Sequence, residues 1–194
     1  MKGISIIALL LVFLSPSAFA QWELLSGESS INFVSIKKSK AGEIHSFRKI
    51  NGSINGSGEA VVNINLGSVE TNIDIRNDRM KAMLFETSKF LEAKISGSIN
   101  INKVSNLNSG DTYTESVKFN LSLHGVSHEI TNDVQVTKLS GERLLVTSIK
   151  PVVISANDYG LEEGVEALRS VAKLSSISTA VPVTYNLVFK KLKA

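Results

Sequence analysis

The chain of 194 residues contains no cysteine. Disulfides, thiol nucleophiles and thiolate metal ligands are excluded with it. Proline is nearly absent: Pro16, Pro151 and Pro182 are the three in the chain, so long ladders can run with few breaks. Aromatic residues make up 6%, too few to supply the two aromatic girdles of a membrane-spanning β-barrel. Neither sign of charge dominates. Lys and Arg number 21 against 18 Asp and Glu, for a net charge of +3. That balance argues against a nucleic-acid binder, although the pI is 9.1. One long apolar run exists, Ile4 to Leu14, interrupted by Ser5. It is shorter than the roughly 20 residues that a transmembrane helix needs.

That run follows Lys2 and precedes Ser15-Pro16-Ser17 and Ala18-Phe19-Ala20. Short basic start, apolar core and A-x-A site together read as a secretory signal peptide cleaved after Ala20. Removing twenty residues from 194 leaves one domain of 174 residues, 21–194, with net charge +2 once Lys2 is gone. No cysteine follows Ala20, so a lipid-acylated N-terminus is excluded. The expectation is a soluble exported protein, with the bacterial periplasm as its address and no stable membrane anchor.

The rest of the chain alternates. Tyr113, Glu115, Val117, Phe119, Leu121 and Leu123 make one face, opposite Thr114, Ser116, Lys118, Asn120 and Ser122. A period of two with one apolar face is a half-buried strand. The same pattern predicts strands over 28–37, 42–49, 58–66, 93–102, 130–139, 142–154 and 181–189, with a short one at 22–25. Gly97 sits on an apolar face, which marks a bend or a close contact. His124-Gly125-Val126-Ser127-His128 reads as a tight hairpin. Two stretches have helical spacing instead: 75–86, with Ile75, Arg79, Ala82, Met83 and Glu86 on one side, and 161–174, capped by Asn157 or Asp158. About eight strands with one polar face each fit a sandwich or a closed barrel.

Three motifs are recognisable in order. Gly67-Ser68-Val69-Glu70-Thr71 through Arg76-Asn77-Asp78-Arg79-Met80, followed by Leu84-Phe85-Glu86-Thr87, is the first. Leu121-Ser122-Leu123-His124-Gly125-Val126 and Ser155-Ala156-Asn157-Asp158-Tyr159-Gly160-Leu161 are the others. Together they resemble the YceI-like family of exported lipid-binding proteins, from about Trp22 to Phe189. Asn72 stands where many members carry Gly, and an Arg common before the third motif is missing. The resemblance implies an all-β, lipocalin-like antiparallel barrel of about eight strands with two short helical insertions. It also implies an apolar tunnel that holds a polyisoprenoid or another long amphiphile.

Ten inward positions are the expected tunnel lining: Phe33, Ile64, Ile95, Ile99, Phe119, Leu121, Val134, Val146, Tyr185 and Leu187. Alternation alone does not separate a ligand tunnel from a barrel filled by its own side chains, which would be a non-catalytic structural or interaction module. Arg76, Asp78 and Arg79 are read two ways, as a head-group site for a phosphate or as an ionic network that anchors the helix. Lys37, Lys38 and Lys40 read as a charged edge that discourages strand pairing. His124 and His128 flank a turn without a third ligand, which does not make a metal site. Glu162 and Glu163 point to different faces of a helix, and no G-x-S-x-G elbow occurs. The expected function is therefore carriage or sequestration of a long-chain lipid, with no catalysis, cofactor, metal or nucleic acid. Homodimerisation is left open.

Overall fold

The computed structural model describes residues 20–193. The expected signal segment, except Ala20, lies outside the described residues. Twelve strand segments follow the alternating sequence: β1 (Ala20–Leu24), β2 (Ser30–Lys37), β3 (Ala41–Phe47), β4 (Ile50–Asn55), β5 (Glu59–Asn65), β6 (Val69–Glu70), β7 (Glu92–Ser98), β8 (Thr112–Leu123), β9 (Val126–Leu139), β10 (Arg143–Ser148), β11 (Val152–Ser155) and β12 (Ala180–Lys191). Helices are short: α1 (Asp74–Arg79), running into a π turn (Met80–Leu84), then α2 (Ile101–Ser105) and α3 (Glu162–Val171).

The register merges these segments into fewer strands. Both β1 and β2 pair with β12, through Leu24↔Phe189 and Ile31↔Tyr185. They are two halves of one bent strand. By the same test β3 continues into β4, β5 into β6, and β10 into β11. The result is an eight-stranded antiparallel barrel in which each strand neighbours the next in sequence. The ring runs β12-β1-β4-β5-β7-β8-β9-β10 and closes on β12. Closure leaves these strands no free edge, the standard liability of a sheet. The two ends differ. At the lower end the ring is complete. At the upper end β6 pairs with β3 and β11 with β12, and α1, the π turn and α3 bridge the mouth. Gly164 makes this possible: a side chain there would meet the Met83 carbonyl at 2.7 Å and Leu84 at 2.9 Å.

Alternation holds across the barrel wall. On β9, Asn132, Val134 and Val136 are buried while Thr131, Asp133 and Gln135 are exposed. The polar outer face is the opposite of a lipid-facing barrel. At the lower end Ile54, Val104, Val134, Val136 and Leu144 are all at most 1% exposed. Val104 belongs to α2, which closes the base. There Lys103 Nζ lies 3.7 Å from Glu115 and 5.4 Å above the Tyr113 ring. Burial pushes the Tyr113 hydroxyl up to about 12.

Several local expectations are corrected. The strand at 50–55 is not among the expected ones. It forms because β1 and β5 pair with it from both sides. The strand expected over 93–102 ends at Ser98. Asn100 instead caps α2, its Oδ1 accepting the Lys103 N–H at 3.2 Å. The strand expected over 142–154 breaks before Pro151. The first helix buries Asn77 and Met80, whereas Ile75, placed on the packed face by periodicity, is 59% exposed. Ile75 stands two residues before Asn77 in regular helix, which puts it on the opposite side of α1 from the buried face. Neither Asn157 nor Asp158 caps α3; both lie in a 3-10 turn, Asn157–Tyr159, and the N-cap is Leu161 without a side-chain bond. The hairpin is tighter than expected, a two-residue turn with His124 at φ 52° and Gly125 at φ 81°, which matches the twist of the strands it joins.

Candidate functional site

Two cavities lie end to end inside the barrel. The upper one, of about 150 Å³, sits under the helical mouth. Its wall combines inward residues of eight strand segments with Leu84, Phe85, Leu161 and Val165 from the helical caps. Tyr185 is the one residue of this wall with a polar side-chain atom. Phe33, Phe47 and Phe85 form an aromatic row, with ring centroids 5.4 and 5.8 Å apart. The lower cavity, of about 90 Å³, reaches from Phe119 and Tyr185 to Ile54 and Phe189.

The ten expected lining residues all face these spaces. Phe33, Ile64 and Leu121 line the upper cavity, and Ile99, Val134, Val146 and Leu187 the lower one. Ile95, Phe119 and Tyr185 line both. Sequence reasoning missed the helical contribution, since helical periodicity does not say which face looks down a barrel. It also missed Asn132, a polar residue at an inward position between Ile130 and Val134. Asn132 is 8% exposed, and its Nδ2 donates to the Tyr185 hydroxyl at 3.1 Å. A polar side chain on an apolar stripe was the available signal.

The three polar residues of the first motif separate in space. Arg76 donates to the Glu43 carboxylate and to the Thr71 carbonyl, the latter at 2.6 Å. It ties α1 to β3. Asp78 is exposed and pairs with Lys81 on its own helix, at 3.1 Å, so it does not anchor the helix. Arg79 is half-buried. The anchor that complements Arg76 is Asn77. Its Oδ1 accepts the Thr71 N–H at 2.8 Å and the Thr71 hydroxyl at 2.6 Å, and its Nδ2 donates to Glu70 at 3.3 Å.

Glu43 also accepts from Lys37 at 2.7 Å. The Lys37 hydrogen bond, helped by the Arg76 charge, holds the Glu43 carboxyl below its ordinary value. His45 lies on the same inward face of β3, 3% exposed and edge-on to Phe33 at 5.3 Å. Burial first, then the Arg76 charge, push its imidazole below the ordinary value against the pull of Glu43. The two hairpin histidines have separate partners. His124 Nε2 donates to Glu86 at 3.1 Å, and His128 Nε2 to the Asp158 carbonyl at 3.0 Å. Each thereby fastens one helical cap to the β8–β9 hairpin. Among the described residues no three His, Cys, Asp or Glu side chains gather as a metal site.

The comparisons agree with this architecture. The model of the YceI-like domain matches residues 22–189. The chain is similar to the structure of a polyisoprenoid binding domain from Saccharophagus degradans implicated in plant cell wall breakdown. The two share 38% identity with a TM-score of 0.88, over 90% of this chain and all of that one. Burkholderia cenocepacia BcnA (17% identity, TM-score 0.66, 85% of this chain and 98% of that one) shares the fold. So does the Campylobacter jejuni YceI protein (16% identity, TM-score 0.51, 77% and 85%). No sequence match is found among proteins with curated descriptions. An eight-stranded meander with helices across one mouth, matched by the family model over nearly all its described length, makes this chain a member of the YceI-like family.

Proposed function

We propose that the protein sequesters or carries a long-chain amphiphile, a polyisoprenoid or a fatty-acid-like lipid, inside the barrel. The observation that carries this reading is the upper cavity. A void of about 150 Å³ in a packed core costs on the order of 4 kcal/mol at about 24 cal/mol per Å³. An apolar cavity of this kind stays dry, so water does not offset the cost. A hydrocarbon chain does. Each CH₂ moved from water to an apolar wall contributes about 0.8 kcal/mol, and ten carbons about 8 kcal/mol before immobilisation is subtracted. Non-covalent burial is enough to hold such a chain. The relative from Saccharophagus degradans, described as a polyisoprenoid binding domain, supports the same ligand class.

The expected site of action is the periplasm, reached through cleavage after Ala20. Native mass spectrometry of protein from the extracytoplasmic fraction tests both parts. The expected result is a chain beginning at Gln21 that carries one lipid, released on denaturation. A bare mass from cells with intact membranes would overturn the carrier reading, and an intact Met1 would overturn export.

A further inference from the structure

The two cavities share three lining residues, Ile95, Phe119 and Tyr185. These come from opposite walls. In the ring of eight, β12 with Tyr185 stands four strands from β7 with Ile95, and Phe119 is on β8 beside it. Side chains from facing walls therefore border both cavities where one gives way to the other, at a level termed the waist.

The two aromatic leaves of the waist are held differently. Tyr185 is fixed at both ends. Its hydroxyl accepts from buried Asn132 at 3.1 Å, and its backbone N–H donates to Ser148 Oγ at 3.1 Å. Phe119 has no polar group to hold its ring. Its cross-strand partner is Gly97, which lines the lower cavity. A Cβ at residue 97 would stand 3.0 Å from Phe119 Cβ and 3.0 Å from the Lys118 carbonyl. The missing side chain lets the two strands approach closely at this pair, and the free volume into which the Phe119 ring can turn by a change of rotamer is the lower cavity that both residues line.

We infer that Phe119 is a movable partition, set against a fixed Tyr185, that determines the chain length this barrel accepts. This rests on the carrier reading above. A chain that fits the upper cavity leaves the waist undisturbed. A longer one must turn Phe119 toward Gly97 before its end enters the lower cavity. Affinity then rises with chain length while the upper cavity fills, levels at the waist, and rises again only as far as displacing Phe119 allows.

Straight-chain fatty acids of graded length are the probes, with displacement of a fluorescent apolar dye from delipidated protein as the readout. Phe119→Leu removes the leaf while keeping an apolar side chain, and Gly97→Ala presses on it. The expected result is a plateau in the wild type. In Phe119→Leu the plateau is lost and the longest chains gain about tenfold in affinity, the equivalent of roughly 1.4 kcal/mol. In Gly97→Ala the longest chains lose affinity while the shortest keep theirs. If the wild type binds and all three proteins show one length profile, the partition is overturned and the carrier reading stands. If neither the wild type nor Phe119→Leu binds any chain, the carrier reading fails and the partition with it.

Discussion

The two ends of this barrel are made from the same alternating strands and differ in how they are closed. At the lower end eight strands complete a hydrogen-bonded ring, and Leu144 and Val136 are fully buried. At the upper end part of the ladder is replaced by α1, its π turn and α3, and a cavity of about 150 Å³ remains beneath them. Strands brought into register interdigitate their side chains. A helix laid across a mouth stands off by its own radius and leaves a gap. The larger of the two interior cavities lies under this helical closure, and the smaller, of about 90 Å³, lies among the strands below it.

The comparison is broken most directly by truncation. Leu144→Ala at the closed end removes buried atoms with no slack around them. It should cost about 2–5 kcal/mol, read as a lower urea midpoint. Val165→Ala beside the upper cavity enlarges an existing void and should cost less than about 1 kcal/mol. Equal losses would mean that the ends are packed alike.

The closure itself is tested next. Asn77→Ala leaves the Thr71 N–H without its acceptor and the Thr71 hydroxyl with the longer bond to the Ile73 carbonyl, at 3.3 Å, and should cost about 1–3 kcal/mol. Asp78→Ala removes an exposed pair on the same helix and should stay within about 0.5 kcal/mol. If Asp78→Ala is instead the more damaging variant, the anchoring assignment is wrong.

A smaller effect is expected at the waist. Phe119→Trp adds a larger ring without charge. In a filled core such overpacking costs about 1–3 kcal/mol. Here the denaturation midpoint of the delipidated protein should move by less than the equivalent of about 1 kcal/mol, while copurified lipid falls.

The smallest effect concerns pH. Burial and the Arg76 charge depress the His45 imidazole in the folded state, so the unfolded chain binds the proton more readily. The stability contributed is fully present above the ordinary histidine value of 6.5 and is lost as pH falls from there toward the folded value. His45 is faced by Glu43, Lys37 and Arg76, and Phe33 packs on its ring. Thermal melts of the wild type and His45→Phe should therefore diverge as pH falls from neutral to mildly acidic, with the variant losing less. Parallel curves would exclude His45 as the source. Glu43 acts at lower pH with the same sign, because its carboxyl is also held below its ordinary value.

Much of the barrel was legible because a period of two is a local property. Facing Phe119, Leu121, Val134 and Leu187 inward follows from side-chain direction along a strand, and the ten expected positions do reach the lumen. The order of the three motifs along the chain is a local property too, and it points to the same family as the fold. Segments with weak local signals misled. Residues 50–55 carry no clear alternation and become a strand because β1 and β5 pair with them from both sides. The helix at 75–86 turns inward on a face that begins with the polar Asn77, which apolar periodicity does not pick out.

The sequence by itself determined which side chains face inward, where the tight hairpin falls, and which family the chain joins, because each depends on residues close together along the chain. Tertiary structure alone decided which inward side chains meet and which leave space. Tyr185 and Ile95 are ninety residues apart yet face each other, because ring closure puts β12 opposite β7. Glu43 and Arg76 join because α1 folds over the β2–β3 hairpin. Empty volume has no sequence pattern of its own. It is what remains where the inward side chains of the strands and the helical caps do not fill the barrel.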